Sequence, residues 1–195
     1  MSIKLNGATS GSVELDVPAA IGSDVSGVLL PTAAGTLDRL ERAGNILQVV
    51  QGSTSTAVGV TTGTYTDTGL SATITPTSST NKILVIVSQQ VQIYRINSGN
   101  GVGIRILRDA TVIDYPNESG TGGLAEYIAV TGGTVVNYYL TYSRSVLDSP
   151  NTTSAVTYKT MGRPYLTDDT GLVNFQTAGA VQNGTSYIQL LEVAA

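Results

Sequence analysis

The sequence predicts an all-β protein, a jelly-roll-like antiparallel β-sandwich preceded by an extended N-terminal arm and one short helix. The first observation is a series of β-patterned segments after residue 45, separated by clusters of Gly, Asn, Asp and Ser. The second is the segment Lys82–Ile96, whose pattern fits a long strand. The third is a charged content of only 12%, about half that of a typical soluble domain, which favours a protein packed against copies of itself.

The segment Lys82–Ile96 reads KILVIVSQQVQIYRI and contains neither Gly nor Pro. Its second half alternates between apolar and polar residues, which indicates one buried face and one face near water. Its first half is apolar on both faces, so a second sheet or a neighbouring subunit must cover the second face. We therefore expect one set of residues to divide between core and subunit contact, namely Ile83, Val85, Val87, Val91 and Ile93, or the opposite parity over 83–87.

Residues 1–35 are predicted to form an extended attachment arm. The arm contains two short apolar pieces, Ser12–Val17 and Val28–Pro31, separated by Gly, Ser and Pro. These pieces are too few to build a core, so we expect the arm to lie on another chain. The expected contacts are Val13, Leu15 and Val17, which share one face of the first piece. The N-terminus shows no apolar h-region, so no signal peptide is expected.

Residues 36–44 are predicted to form a short connecting helix. Thr36 is a suitable N-cap, and Gly44 is a suitable residue just after the helix. Leu37 and Leu40 fall on one face. A helix of two turns is unstable alone, so this face is expected to dock and to contribute contacts.

Residues 45–195 are predicted to form the sandwich head. The zone opens with Ile46–Gln51 and closes with Ser186–Val193, two strands of the same type. We choose a jelly roll because its first and last strands commonly lie side by side. The predicted strands are 46–51, 70–75, 82–96, 102–108, 111–115, 124–130, 134–144, 153–160, 171–176 and 186–193.

Tyrosine is the enriched aromatic residue, with 10 Tyr against one Phe. Tyr138 and Tyr142 are expected to point to one side of their strand and Tyr139 to the other. Because tyrosine suits interfaces, we assign Tyr138 or Tyr142 to a subunit contact and Tyr139 to the core.

The composition argues against catalysis, metal binding and nucleic-acid binding. The chain has no His and no Cys, which removes the usual general base, thiol nucleophile and transition-metal ligands. The 14 acidic residues form no evident pair, and an Asp-rich turn at 168–169 is only a weak calcium candidate. Ten scattered basic residues and a net charge of −4 argue against nucleic acid. We expect no enzyme activity, no cofactor, no metal and no membrane insertion.

Several segments carry a resemblance to a known family: ILQVVQ, TYTDTGLSATITPTSSTNKILVIVSQQ, RILRDATVI and GTSYIQLLEV. They resemble the β-sandwich head modules of bacteriophage virion proteins, especially tail-fibre and appendage proteins of phages of marine bacteria. The entry through LPTAAGTLDRLERAGNILQVV is similar to the segment that leads into such heads. The resemblance implies a trimeric jelly roll and a structural role in the virion. At 195 residues the chain has no long shaft.

These observations lead to one expected function and two alternatives. We expect a homotrimeric, non-enzymatic virion protein of tail-fibre or appendage type, made in the host cytoplasm and attached to other virion proteins by its arm. One alternative is a capsid decoration protein. The other is a receptor- or carbohydrate-binding module that holds a host surface glycan at loops 97–101 and 117–123.

Overall fold

The computed structural model describes residues 3–6, 12–15, 42–96, 99–114, 125–129, 135–165, 171–179 and 182–195. Contacts divide the chain into two compact units, residues 1–38 and 39–195. In the first unit, β1 (Ile3–Asn6) and β2 (Ser12–Leu15) pair antiparallel, with Ile3 opposite Leu15 and Leu5 opposite Val13. The predicted helix lies outside the described residues except for 42–44, which form a turn ending at Gly44, where φ is +88°.

The second unit contains a six-stranded sheet, which we call the large sheet. Its central strand β6 pairs along one edge with β10. Along its other edge β6 pairs first with β15 and then with β12, and β3 and β4 lie outside these two. The bounds are β3 (Ile46–Thr54), β4 (Val58–Val60), β6 (Lys82–Ile96), β10 (Val135–Asp148), β12 (Gly171–Phe175) and β15 (Ser186–Val193).

The facing sheet, which we call the small sheet, has five strands in the order β5, β11, β7 and β8, with β9 also paired to β7. The bounds are β5 (Thr66–Ile74), β7 (Asn100–Arg108), β8 (Thr111–Asp114), β9 (Glu126–Ile128) and β11 (Val156–Pro164). A short hairpin, β13 (Thr177–Gly179) and β14 (Gln182–Asn183), follows β12.

The connectivity is that of a jelly roll. Eight strands in chain order are β3, β5, β6, β7, β8, β10, β11 and β15. If these strands are numbered 1 to 8, one sheet has the order 1-8-3-6 (β3, β15, β6, β10) and the other has the order 2-7-4-5 (β5, β11, β7, β8). This is the strand order of a jelly roll. As predicted, the first and last strands lie side by side, with Leu190 of β15 opposite Val50 of β3. The remaining strands, β4, β9 and β12, extend these two sheets.

The hydrophobic core lies between the two sheets. The large sheet contributes the odd-numbered residues of β6, and the small sheet contributes Leu70, Ile104 and Tyr158, all fully buried. Alternation is strict in β5 and β11, where every second residue is buried. This is the period-two pattern expected where one face of a strand packs on a core and the other does not.

Ion pairs join the two sheets at the edge formed by β10. The guanidinium of Arg144 donates two hydrogen bonds to Asp114 of β8, at 2.7 and 2.9 Å. Asp148 accepts hydrogen bonds from Arg108 at 2.7 Å and from the hydroxyl of Tyr158 at 2.8 Å. Because β10 belongs to one sheet and the three partners to the other, these contacts hold β10 over the small sheet.

Candidate assembly surface

The surface of greatest interest is the outer face of the large sheet, the side that points away from the core. Register identifies its members, because directly paired residues of an antiparallel sheet lie on the same face. The even-numbered residues of β6 lie there, since the odd-numbered residues Ile83, Val85 and Val87 are in the core. Their partners on the neighbouring strands therefore share the outer face.

An aliphatic stripe crosses this outer face. Leu147 of β10 is opposite Leu84 of β6, Leu84 is opposite Leu191 of β15, and Leu191 is opposite Val49 of β3. The two ends of the stripe are well exposed, with Leu147 at 53% and Val49 at 61%. Four aliphatic side chains in direct register across four strands span about 14 Å at the usual strand spacing.

A shallow depression of about 280 Å³ lies next to the stripe. It is lined by residues of β6 and β10, namely Ile86, Val87, Ser88, Ser143, Arg144 and Ser145, and the guanidinium of Arg144 is paired with Asp114. Tyr187, 41% exposed, is paired directly with Ser88 and stands beside the depression. The outer face therefore has both a projecting aromatic side chain and a hollow, which are features of a surface that can interlock with another.

The outer face is almost free of charge. Among the described residues of its six strands, Lys82 is the only charged residue at an outward position, and it lies at the first residue of β6. The small sheet differs, because its outer side carries the ion pair Lys159–Asp67 as well as Arg105 and Arg163 stacked on Tyr65. The outer side of the small sheet is thus charged, whereas the outer face of the large sheet is nearly uncharged.

Large exposed apolar residues concentrate on the same face. Ile46, Val49, Val135, Leu147 and Tyr187 belong to it by register. Three others lie elsewhere among the described residues, namely Val112, Tyr127 and Tyr138. Ile46, Val49, Leu147 and Tyr187 lie toward the end of the face that carries the stripe, and Val135 lies at the other end of β10. An exposed apolar cluster on a β-sheet marks a surface for interaction rather than for solvent.

The residues of β6 that were predicted to form a subunit contact lie in the core instead. Ile83, Val85 and Val87 are 0%, 0% and 1% exposed and belong to the core. A fully covered side chain has no surface left for a partner. The opposite parity, Leu84 and Ile86, is the half-buried set on the outer face.

The tyrosines of β10 follow the predicted parity but not the predicted roles. Tyr142 is buried at 8% exposure, so it cannot form the subunit contact considered for it, while Tyr138 is 41% exposed. Tyr139, expected in the core, is half-buried on the outer face, where its hydroxyl accepts a hydrogen bond from Gln92 at 3.1 Å. Burial raises the pKa of Tyr142 to about 12, with a further contribution from Asp114.

The predicted arm contacts lie largely outside the described residues. Val13 and Leu15 belong to β2, opposite Leu5 and Ile3 of β1. Val17, Leu37 and Leu40 are outside the described part of the chain. The proposed glycan loop at 117–123 is also outside it. In the other proposed loop, Asn100 is fully buried, and its side chain bonds the backbone of Tyr94 and Gly101.

Among the described residues, one carboxylate of the sandwich is buried, that of Glu192 on β15. Glu192 is fully buried and accepts hydrogen bonds from Thr77 and Asn81 at 2.7 Å and from Gln48 at 2.6 Å. Burial alone would raise the pKa of Glu192, but the hydrogen bonds outweigh burial and lower it to about 2. A carboxylate whose oxygens are already engaged is a structural anchor and a poor proton donor or base at neutral pH.

Sequence reasoning missed Val49, Leu191 and Leu147. Each was inside or beside a predicted strand, but whether a residue points inward depends on register, which a single sequence does not specify.

Within the described ranges there is no cluster of acidic residues suited to a metal. In that same part of the chain no helix is long and apolar enough to cross a bilayer.

Comparison with known proteins assigns the chain to no family. No family model matches the chain, and no curated protein matches it. Two solved virus structures are similar, those of infectious bursal disease virus strains Gt and Gx, at 13% identity with TM-scores of 0.29 and 0.28. They cover 98% and 97% of this chain, which spans 46% of each of theirs. A likeness at this level has no bearing on function.

Proposed function

We propose that this protein is a non-enzymatic structural protein of a bacteriophage virion, which self-associates through the outer face of its large sheet. The assembly is a homotrimer of tail-fibre or appendage type, attached to other virion proteins by the N-terminal arm. The protein is made in the host cytoplasm and functions in the particle. The resemblance of its sequence to phage head modules supports this setting, and its jelly-roll topology is compatible with it.

The observation that carries the proposal is the nearly uncharged outer face with its aliphatic stripe. An uncharged face can be covered by another protein surface without leaving unpaired charges in the interface. The stripe at Leu147 and Val49 exposes apolar surface whose removal from water favours association. A second copy of this chain is therefore the partner that fits this surface best.

The size of the face is adequate for a stable interface. It is four strands wide along most of the length of β6, which is 15 residues long. With strands about 4.8 Å apart and a rise of about 3.3 Å per residue, the face measures roughly 19 by 50 Å. That is on the order of 900 Å², similar to the area of about 800 Å² that each partner buries in a standard interface.

In a trimer with a three-fold axis, the contact is heterologous. The outer face of one subunit then packs on a different patch of the next, and the ring closes after three copies. The depression at Ile86 could receive a side chain of the next subunit, and the adjacent Tyr187 could insert into that subunit. Non-enzymatic function is supported by the lack of His and Cys and by the saturated hydrogen bonding of Glu192.

The test is the oligomeric state of the full chain and of surface variants, measured by light scattering after size-exclusion chromatography. The wild type is expected at three times the chain mass of 20.1 kDa and stable to dilution. Val49→Lys and Leu147→Glu place charges in the stripe and are expected to give monomers. Val112→Lys, on β8 and 36% exposed, is the matched control and is expected to remain trimeric.

The results separate the parts of the proposal. A monomeric wild type rejects self-association, and a dimer keeps the face but rejects the fibre-head trimer. Trimers that survive both stripe substitutions locate the interface elsewhere.

The place in the virion is tested by counting copies per purified particle with quantitative mass spectrometry. Six trimers or fewer support a tail appendage. Dozens to hundreds of copies support capsid decoration, and absence from particles rejects the virion role.

A further inference from the structure

A cluster of uncharged polar side chains lies in the core, away from the outer face. Gln89, Gln176, Thr68 and Thr160 are all 0% exposed. They come from β6, the residue after β12, β5 and β11, so the cluster bridges both sheets. Four fully buried polar side chains are unusual in a sandwich core, because each must find hydrogen bonds there.

Thr68 is the centre of this cluster. Its hydroxyl accepts a hydrogen bond from Nε2 of Gln89 at 2.8 Å and shares a 2.5 Å contact with the hydroxyl of Thr160. Its backbone carbonyl accepts a hydrogen bond from Nε2 of Gln176, also at 2.8 Å. Both glutamine amides therefore approach the same residue, and each of their nitrogen atoms has a hydrogen-bond acceptor there.

The oxygen atoms of the two amides are not satisfied. Oε1 of Gln89 and Oε1 of Gln176 are buried and have no hydrogen-bond partner in the described part of the protein. For Gln176 the orientation of the amide is fixed by its partner, since the carbonyl of Thr68 can only accept and must face the nitrogen. A buried acceptor without a donor costs on the order of 1–3 kcal/mol, so each of the two oxygens calls for a donor.

The sheet is interrupted at the same level. On one edge of β6, β15 pairs with residues 82–88 and β12 pairs with residues 91–95. Residues 89–90 therefore lie between the two partner strands and pair with neither of them on this edge. Gln90 bridges the interruption, because its N–H donates to Ser186 Oγ and its carbonyl accepts from the N–H of Gln176, both at 2.9 Å. Gln176 has a left-handed backbone, with φ of 60°.

We infer that this cluster is an internal hydration site, in which a buried water molecule donates one hydrogen bond to Gln89 Oε1 and one to Gln176 Oε1. Water is the ligand that matches, because it has two donors for two neutral acceptors and needs no counter-charge. Tyr142, paired opposite Gln89 on β10, has a buried hydroxyl without a partner in the described residues and extends the polar region. The water links β6 to the end of β12 where the sheet is interrupted.

The direct test is a crystal structure of the full chain at a resolution that shows ordered water. The expected result is a density peak within hydrogen-bond distance of both Oε1 atoms. Density showing neither oxygen in contact with a water, or both bonded to protein donors, overturns the inference. A peak with five or more oxygen ligands at cation distances assigns the site to a metal ion and also overturns it.

Magnetic relaxation dispersion in solution gives an independent measurement of long-lived internal water. Gln89→Met keeps a long side chain but removes one acceptor, so it is expected to lose one long-lived water relative to wild type. Gln92→Met is the matched control, because Gln92 lies on the same strand and its amide is already bonded to Asn137 and Asn174. An unchanged dispersion in Gln89→Met contradicts the inference. If that variant does not fold, the wild-type density decides.

Discussion

At the scale of single residues, Glu192 makes stability depend on pH. Its pKa in the folded protein is about 2, below the ordinary value of 4.5. Between these values the unfolded chain binds more protons than the folded one, so stability falls as pH falls. The contribution is fully present above about pH 4.5 and is lost by about pH 2.

Glu192→Gln is therefore expected to lower the free energy of unfolding at pH 7 by on the order of 2–3 kcal/mol. The difference from wild type should shrink between pH 4.5 and pH 2, as measured by urea denaturation at each pH. Glu126→Gln, at an exposed position of β9, is the control and should change stability little. A difference that stays constant with pH would show that Glu192 is not ionised with a lowered pKa.

Gly162 is a second residue with a strong individual effect. A Cβ atom added there would lie 2.0 Å from Cζ of Phe175, a side chain that is fully buried and cannot move aside. We expect Gly162→Ala to cost about 2 kcal/mol or more of stability, as overpacked cores do.

Gly59→Ala is the matched control for Gly162→Ala, because Gly59 is exposed and the added atom meets only the ends of two partly buried side chains, Oδ1 of Asn174 at 2.9 Å and Cδ1 of Leu172 at 3.6 Å. Thermal melting measures both variants. Equal losses in the two would mean that the contact with Phe175 is not what excludes a side chain at position 162.

At the scale of elements, one of the ion pairs that hold β10 over the small sheet, Asp148–Arg108, is less exposed than the pair Lys159–Asp67 on the outer side of that sheet. Asp148 is 12% exposed at its side chain and bonds both Arg108 and Tyr158. Removal of one partner leaves Arg108 without its counter-charge, so Asp148→Ala is expected to cost about 2–4 kcal/mol.

Lys159→Met is the comparison for Asp148→Ala, because it breaks the pair with Asp67, where the carboxylate is 50% exposed. It is expected to change stability by less than about 1 kcal/mol. Both are measured by urea denaturation at pH 7. A similar, small loss for the two variants would contradict the role of Asp148 in joining the sheets.

The strands themselves could be predicted well where their pattern was long. The bounds of β6 and β15 agree with the prediction, because each is a run of eight or more residues rich in apolar side chains, without Gly or Pro, and flanked by turn residues. The short strands β4 and β13 were missed, since three residues containing Gly carry no measurable period. The aliphatic stripe was missed for a different reason, because it arises from the register of four strands that are distant in sequence.

At the scale of the whole molecule, the arm and the head are expected to be separable. Residues 1–38 form a compact unit distinct from residues 39–195, and the core residues found among the described side chains all belong to the second. A two-stranded hairpin such as β1–β2 is marginal alone, which is why we assign it a partner in the virion.

Deletion of residues 2–35 is expected to leave the head folded and to abolish incorporation into particles. Thermal melting and abundance in purified virions are the two measurements. A truncated head that does not fold would make the arm part of the core. A folded head that still enters particles at the normal level would place attachment on the head instead.

The adjacency of β3 and β15 brings the two boundaries of the sandwich together. The N–H of Gly44 donates to the carbonyl of Ala194, and the N–H of Ala194 donates to the carbonyl of Asn45, both at 2.9 Å. A linker of a few glycines could therefore close the head into a ring, and the chain could be reopened at the exposed turn 153–155 as a circular permutant. It follows that a peptide or reporter fused at either boundary would emerge from the same pole of the sandwich, leaving the opposite pole untouched for display.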